Sequence, residues 1–174
     1  MQFKTIILAA LFSGAAIANY NILLYRHRQC LFQVGHVCNN MTMQQCCRAE
    51  PGKKYQSARL IGLSGGLSTE QMTLYKDNEC HDVAVTQKTG PRCVSHNTKD
   101  VQSAAIFGLP KRENAEPATT VEPDEAFMEE GKFRYTIKRD SPEGRAYDHL
   151  EEIEDQVEHL RTFGKRVEIL EDVE

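Results

Sequence analysis

Hydrophobic and polar residues alternate in short runs through the first part of the chain. From Tyr20 to Tyr25, apolar side chains fall at both odd and even positions, which predicts a strand that is buried on both faces or lies at an edge of the core. Five further runs predict strands within residues 32–36, 55–63, 72–75, 83–85 and 92–96, whereas the polar run 42–48 could form one helical turn. Closely spaced short strands with Gly and Pro between them predict a mainly β fold, a small sandwich or barrel.

The pattern changes in the last third of the chain. Residues 113–126 are rich in Glu, Pro, Ala and Thr, a composition that predicts disorder. One amphipathic helix is then predicted over about 142–163. The residues that define it are the N-cap Ser141, Pro142 at the first position, the apolar stripe Leu150, Ile153, Val157 and Leu160, and the stop at Gly164.

The first 18 residues have the pattern of a secretory signal peptide. Lys4 gives a positive start, an apolar run covers residues 6–12, and Ala16-Ile17-Ala18 fits a cleavage site after Ala18. We therefore expect a secreted, extracellular protein whose mature chain begins near Asn19. No later apolar stretch is long enough to span a bilayer, so no transmembrane segment is predicted.

Six cysteines lie in the predicted β region, which is taken as residues 19–110: Cys30, Cys38, Cys46, Cys47, Cys80 and Cys93. An even number of cysteines in an exported chain predicts disulfides, because the extracellular space does not keep thiols reduced. Their spacing lacks the close cysteine pairs of a zinc knuckle. No metal ion or other cofactor is therefore predicted.

Six cysteines allow fifteen pairings, and twelve remain once a bond within the adjacent pair at 46–47 is set aside. We prefer Cys80–Cys93, because these two residues flank a single predicted hairpin. The adjacent pair would then bond to Cys30 and Cys38.

Charge divides the chain at the same place as the hydrophobic pattern. Residues 19–110 contain ten Lys or Arg and six Asp or Glu, a net of +4, whereas residues 111–174 contain ten and nineteen, a net of −9. This asymmetry predicts a mildly basic domain followed by an acidic tail over 111–174.

The chain resembles the small secreted cysteine-rich proteins of fungi over roughly residues 1–96. The resemblance rests on the start Met1-Gln2-Phe3-Lys4, the pair Cys46-Cys47 and the segment Tyr55-Gln56-Ser57-Ala58-Arg59-Leu60-Ile61-Gly62-Leu63. It implies a host-directed effector, a toxin or an antimicrobial protein.

Candidate modification and catalytic residues are few. Asn40-Met41-Thr42 is a sequon, so Asn40 is a predicted glycosylation site. The scattered histidines His27, His36, His81 and His96 have no diagnostic spacing relative to a nucleophile or carboxylate. No catalytic residue is predicted.

Three Lys-Arg pairs lie 27 residues apart in the tail, ending at Arg112, Arg139 and Arg166. They resemble the sites cut by Kex2-type secretory proteases. Two interpretations follow from them. The tail is either a pro-segment that shields the basic domain or a source of secreted peptides, roughly 113–139 and 140–166.

These observations favour a secreted, cysteine-rich, non-enzymatic protein that acts on an extracellular or host partner, with the tail as its pro-segment. Nucleic acid is not an expected partner. The alternatives are a precursor of secreted peptides and a small secreted hydrolase.

Overall fold

Two β-sheets and two helices make up the computed structural model, which describes residues 19–30, 34–50, 52–62, 70–88, 93–98, 100–108 and 119–169. The strands are β1 (Tyr20–Tyr25), β2 (Val34–Met41), β3 (Gln45–Arg48), β4 (Ser57–Gly62), β5 (Glu70–Tyr75), β6 (Val83–Lys88), β7 (Cys93–Ser95), β8 (Ser103–Gly108), β9 (Thr119–Val121), β10 (Glu125–Glu130), β11 (Phe133–Lys138) and β12 (Lys165–Glu168). The helices are α1 (Pro142–Asp148) and α2 (Ile153–Phe163).

The larger sheet has seven strands in the order β12-β11-β10-β2-β1-β4-β7. The smaller sheet has five, in the order β6-β5-β8-β3-β9. Neighbouring strands are antiparallel except β3 and β9, which pair in parallel. The predicted mainly β sandwich is confirmed, but the hydrophobic pattern did not single out the strands from β8 to β12.

The main core lies between the two sheets. Ile22 and Leu24 of β1 share one buried cluster with Leu74 of β5 and Ile106 of β8. The other face of β1 is buried as well, because Leu23 and Tyr25 pack with Phe127 of β10 in a separate cluster. Of the two alternatives predicted for β1, the structure shows burial on both faces.

The two helices cover a different part of the larger sheet. Met128 of β10 and Ile137 of β11 pack against Tyr147 of α1 and Leu160 of α2. Residues two or four apart on a strand share a face, so Val34, in this cluster, and Cys38, in the main core, lie on one face of β2. His36 lies between them, at the seam where helix-covered and sheet-covered regions meet.

The predicted division at residue 110 is not a boundary in the fold. Strand β10, from the acidic tail, pairs directly with β2, and β9 pairs with β3. Residues 119–126, part of the segment expected to be disordered, lie in β9, in β10 and in the turn between them. Composition misled here because the buried residues Ala126, Phe127 and Met128 follow immediately after the polar stretch.

The single predicted helix is two helices. Its ends are confirmed: the Ser141 side chain accepts from the Gly144 backbone N–H, and Gly164 follows the last turn of α2. A continuous helix over 142–163 would measure about 33 Å, whereas the six-residue strands beneath it span about 20 Å. The break at 149–152 lets both halves pack on the same sheet. The polar run 42–48 also differs from expectation, because it contains β3 instead of a helical turn.

Three disulfides use all six cysteines: Cys30–Cys93, Cys38–Cys47 and Cys46–Cys80. The preferred pair Cys80–Cys93 is wrong, because Cys93 lies on the larger sheet and Cys80 follows a strand of the smaller one. Successive residues on a strand point to opposite faces. Cys47 therefore faces Cys38 in the main core, as expected for one of the adjacent pair, while Cys46 faces Cys80 instead of Cys30.

No helix among the described residues is both long and apolar enough to cross a bilayer. The signal-peptide prediction with its cleavage after Ala18, and the processing site at Arg112, fall outside the described residues.

Candidate functional site

Four charged or titratable side chains meet at the seam of the larger sheet: His36, Glu50, Arg139 and Asp148. We call this group the seam cluster. His36 comes from β2, Glu50 follows β3, Arg139 follows β11, and Asp148 is the last residue of α1. The cluster therefore joins the cysteine-rich part of the chain to its acidic part.

The His36 ring is enclosed on several sides. Only 2% of the residue is exposed, and its ring contacts those of Tyr55 and Tyr147 edge-on, with centroids 5.9 and 5.8 Å away. Its Nδ1 forms a 2.6 Å hydrogen bond with the Tyr55 hydroxyl. This bond fixes the ring orientation and points Nε2 at the two carboxylates.

Nε2 faces both carboxylates without a hydrogen bond to either. It lies 3.5 Å from Asp148 Oδ1 and 3.8 Å from Glu50 Oε2. Both distances exceed the 2.7–3.2 Å range of N–H···O bonds. His36 Nε2 and Asp148 Oδ1 are both buried atoms that lack a hydrogen-bond partner.

Arg139 contacts the outer oxygens of the same carboxylates. Its guanidinium donates to Asp148 Oδ2 through Nε and Nη2, each at 3.2 Å, and pairs with Glu50 Oε1 through Nη2. It also donates to the backbone oxygen of Pro123 at 2.9 Å. Each carboxylate therefore presents one oxygen to Arg139 and the other to His36.

Burial and neighbouring charge set the protonation states. Burial lowers the pKa of His36, because the charged ring loses its hydration. Burial also disfavours the ionised Asp148, but the facing His36 ring and the Arg139 guanidinium outweigh it and hold the pKa of Asp148 below its usual value. Near neutral pH the lowered pKa values leave the His36 ring neutral and Asp148 ionised beside the Arg139 guanidinium.

The inner atoms could hold a cation. His36 Nε2, one oxygen of Glu50 and one of Asp148 all lie within 4.8 Å of one another. Glu50 and Asp148 side chains are 10% and 21% exposed, so the group is shielded without being sealed.

The other three histidines of the cysteine-rich part, His27, His81 and His96, are not members of this cluster. His81 is an exposed residue beside Glu79, and His27 belongs to the turn after β1. His96 Nδ1 lies 2.9 Å from Asp100 Oδ1 and 3.0 Å from the Thr98 hydroxyl. Both partners approach the same ring nitrogen, whereas a catalytic triad places carboxylate and hydroxyl on opposite nitrogens.

The predicted modification sites have different surroundings. Asn40 is exposed in β2, with a left-handed φ of 53°, and its glycosylation stays a prediction. Arg139 belongs to the seam cluster, with a side chain only 19% exposed. Arg166 lies in β12, its guanidinium 3.5 Å from the centroid of the Phe133 ring.

Sequence reasoning did not identify Glu50, Tyr55 or Asp148 as site residues. Each is a common residue with no motif around it. They meet His36 because of strand pairing and helix packing, so no local spacing could have revealed the group.

A family model described as an N-terminal domain, ARB_05566_N, matches residues 21–126. The match runs beyond the predicted boundary at residue 110 and ends within β10. Comparison with the curated proteins and with the solved structures finds no match.

Proposed function

We propose that the chain, which belongs to the ARB_05566_N family described as an N-terminal domain, is a secreted, disulfide-stabilised, non-enzymatic protein that acts by binding an extracellular partner. The observation that carries this proposal is the use of all six cysteines in three disulfides. Such a framework persists in an oxidising compartment and suits a small domain that must stay folded outside the cell. The apolar start of the chain supplies the export signal.

The working protein retains its acidic tail in this proposal. Strand β10 contributes Ala126, Phe127 and Met128 to buried clusters beside β2. Loss of the tail would expose these partners and the edge of β2. The packing therefore supports an intact chain more than a detachable pro-segment.

The peptide-precursor alternative meets its main obstacle at Arg139 in the folded chain, since release of 140–166 needs a cut there. Arg139 is bound to Glu50 and Asp148, and Arg166 lies within a paired strand. A protease needs an extended, accessible segment around the bond that it cuts. The partly buried ion pairs of Arg139 favour protection of that site once the protein has folded, whereas Arg166 lies in an exposed edge strand.

The hydrolase alternative finds little support in the contacts of His36 and His96. His36 is enclosed by aromatic rings, and His96 presents one nitrogen to both of its partners. Neither arrangement positions a nucleophile and a base together with room for a substrate. Binding without catalysis is the function that these arrangements favour.

Secretion of the full chain from a yeast that contains a dibasic-cleaving protease tests the proposal. Non-reducing mass spectrometry of the culture fluid should find one product that starts near Asn19, retains the tail and contains three disulfides. A product that stays in the cell would overturn secretion. Release of a fragment close to 140–166 would favour the peptide-precursor alternative.

Binding is tested with the purified product labelled with a fluorophore. On a panel of intact fungal, plant and animal cells, we expect saturable binding to at least one cell type, lost after disulfide reduction. The matched control is His81→Gln/His96→Gln, which should bind unchanged. Non-saturable adsorption on every cell type would contradict a specific partner, and turnover of a cell-surface substrate that this control abolishes would favour the hydrolase.

A further inference from the structure

The inner side of the seam cluster has the donor set of a metal site. We propose that His36 Nε2, Glu50 Oε2 and Asp148 Oδ1 bind one divalent transition-metal ion of the zinc class. An imidazole nitrogen with two carboxylate oxygens is a set that zinc accepts, with a fourth position left for water. The ion would bind within the seam cluster, and its binding does not depend on the extracellular partner proposed above.

The separations between the donor atoms fit such an ion. Zinc bonds to nitrogen and oxygen measure about 2.0–2.2 Å, so two ligands of a tetrahedral site lie about 3.3–3.6 Å apart. His36 Nε2 lies 3.5 Å from Asp148 Oδ1 and 3.8 Å from Glu50 Oε2. These distances are too long for hydrogen bonds and close to those across a coordination shell.

Two unpartnered atoms point to the same ligand. His36 Nε2 and Asp148 Oδ1 are buried atoms without a hydrogen-bond partner. Only 2% of His36 is exposed, so water cannot readily supply one. A buried polar atom without a partner costs free energy, and a bound ion is one of the few ways to satisfy it. One cation between the two atoms satisfies both at once, whereas a hydrogen bond between them would need a shorter distance.

The groups behind the ligands are arranged as supporting partners. With Nε2 bound to metal, Nδ1 carries the proton and donates it to the Tyr55 hydroxyl at 2.6 Å. Arg139 holds the outer oxygens, Glu50 Oε1 and Asp148 Oδ2, and leaves the inner oxygens free. Metal-bound histidines and carboxylates usually have outer contacts of this kind, which fix the ligand orientation.

Charge also favours a dication at this position. Two carboxylates and one guanidinium leave a net charge of −1 around the neutral His36 ring. A divalent ion changes the net charge to +1 and places its positive charge directly against the two inner carboxylate oxygens. Because its ligands come from β2, from the segment after β3 and from α1, the ion would hold the helices onto the sheet.

The experiment uses the full mature chain, with disulfides intact, after treatment with a chelator. Isothermal titration with zinc chloride should show one ion bound per chain, and saturating zinc should raise the melting temperature. Asp148→Asn and Glu50→Gln should each weaken zinc binding at least tenfold. The control is His96→Gln, which alters a separate, partly buried histidine–carboxylate pair, His96 with Asp100. This variant should bind zinc as the wild type does.

Cobalt(II) in place of zinc keeps the proposal testable even if a variant folds poorly. The wild-type chain should give the visible absorption bands of a nitrogen- and oxygen-ligated tetrahedral cobalt ion, and these should disappear in His36→Gln. Circular dichroism identifies which variants are folded. The proposal is overturned if the folded wild-type chain binds no stoichiometric ion, if folded Asp148→Asn binds zinc as tightly as wild type, or if His96→Gln removes the binding.

Discussion

Gly35 of β2 lies directly opposite Phe127 of β10, and this pair joins the cysteine-rich part of the chain to its acidic part. A Cβ atom on Gly35 would lie 1.9 Å from the backbone oxygen of Leu24 and 3.1 Å from the Phe127 ring. No rotation of a side chain can relieve the contact with Leu24, because it involves backbone. Strands β1, β2 and β10 therefore approach each other closely only because residue 35 is glycine.

We expect Gly35→Ala to lower the free energy of unfolding by about 3 kcal/mol or more, since an added methyl must push two strands apart. Urea denaturation measures the change. Gly108→Ala is the matched control, because the nearest atom to its new Cβ would be the flexible Met43 sulfur at 3.3 Å. Equal stability of the two variants would show that the close approach at residue 35 is unimportant.

A chain that ends at Arg112 should lose cooperative unfolding. It lacks β9 to β12 and both helices, so the buried residues Val34 and Val37 of β2 would face water. A chain that ends at Ile169 retains every described element and serves as the control. Thermal unfolding followed by near-ultraviolet circular dichroism distinguishes them, and a sharp transition in the shorter chain would restore the pro-segment interpretation.

Replacement of Arg139 by Met should destabilise the protein by roughly 2–3 kcal/mol, because two carboxylates lose their cation. This value is below that for a fully buried pair, since the Asp148 side chain is 21% exposed. Adding Glu50→Gln should recover part of the loss by removing one unpaired charge. If the double variant is no more stable than Arg139→Met alone, repulsion within the seam cluster is not the cause.

The protein should lose stability as the pH falls below about 6.5 when a chelator keeps it metal-free. Burial lowers the pKa of His36 in the folded state, whereas in the unfolded chain histidine titrates near 6.5. The unfolded state therefore takes up a proton first. The contribution of His36 is complete above about pH 6.5 and is lost as the pH falls toward the lower folded-state pKa, by up to about 1.4 kcal/mol per pH unit.

The lowered pKa of Asp148 adds a second window with the same sign, below about pH 4, where the unfolded carboxyl takes up its proton first. Melting temperatures measured from pH 7.5 to 3.5 test both windows. His36→Gln should flatten the upper window, and His96→Gln should leave it unchanged. An unaltered slope in His36→Gln would assign the effect to another group.

Peptide mapping without reduction should recover the three disulfides described above and no Cys80–Cys93 bond. Removal of Cys30–Cys93 by a double alanine variant should cost about 4 kcal/mol, because the bond closes a 63-residue separation. Removal of Cys38–Cys47, across 9 residues, should cost about 2.5 kcal/mol by the same chain-entropy estimate. Guanidinium denaturation checks the order, and a larger loss at Cys38–Cys47 would show that core packing dominates.

The charge asymmetry of the sequence is real, but its structural meaning is local. Glu50, from the basic region, pairs with Arg139, from the acidic tail. In this pair each residue has a charge opposite to the net charge of its own region. Arg48 with Glu122 follows the expected sense. Net charge summed over a region describes its average field, whereas ion pairs depend on which side chains the fold brings together.

Local sequence patterns are sufficient to predict the features that depend on neighbouring residues. Alternation predicted six of the twelve strands, Ser141 and Gly164 defined where the helical region begins and ends, and the even number of cysteines indicated disulfides. Each of these follows from backbone geometry or thiol chemistry within a few residues. Apolar residues at both odd and even positions of 20–25 also favoured a strand buried on both faces or at an edge of the core.

Contacts between distant residues depend on how the strands pair and where the helices pack. Periodicity gives the face on which a side chain lies and does not give the neighbouring strand. It therefore could not predict the pairing of β2 with β10 or the disulfide partners of Cys46 and Cys47. The seam cluster is the clearest case. Its residues come from four separate segments, and they form one site because sheet and helices close around His36.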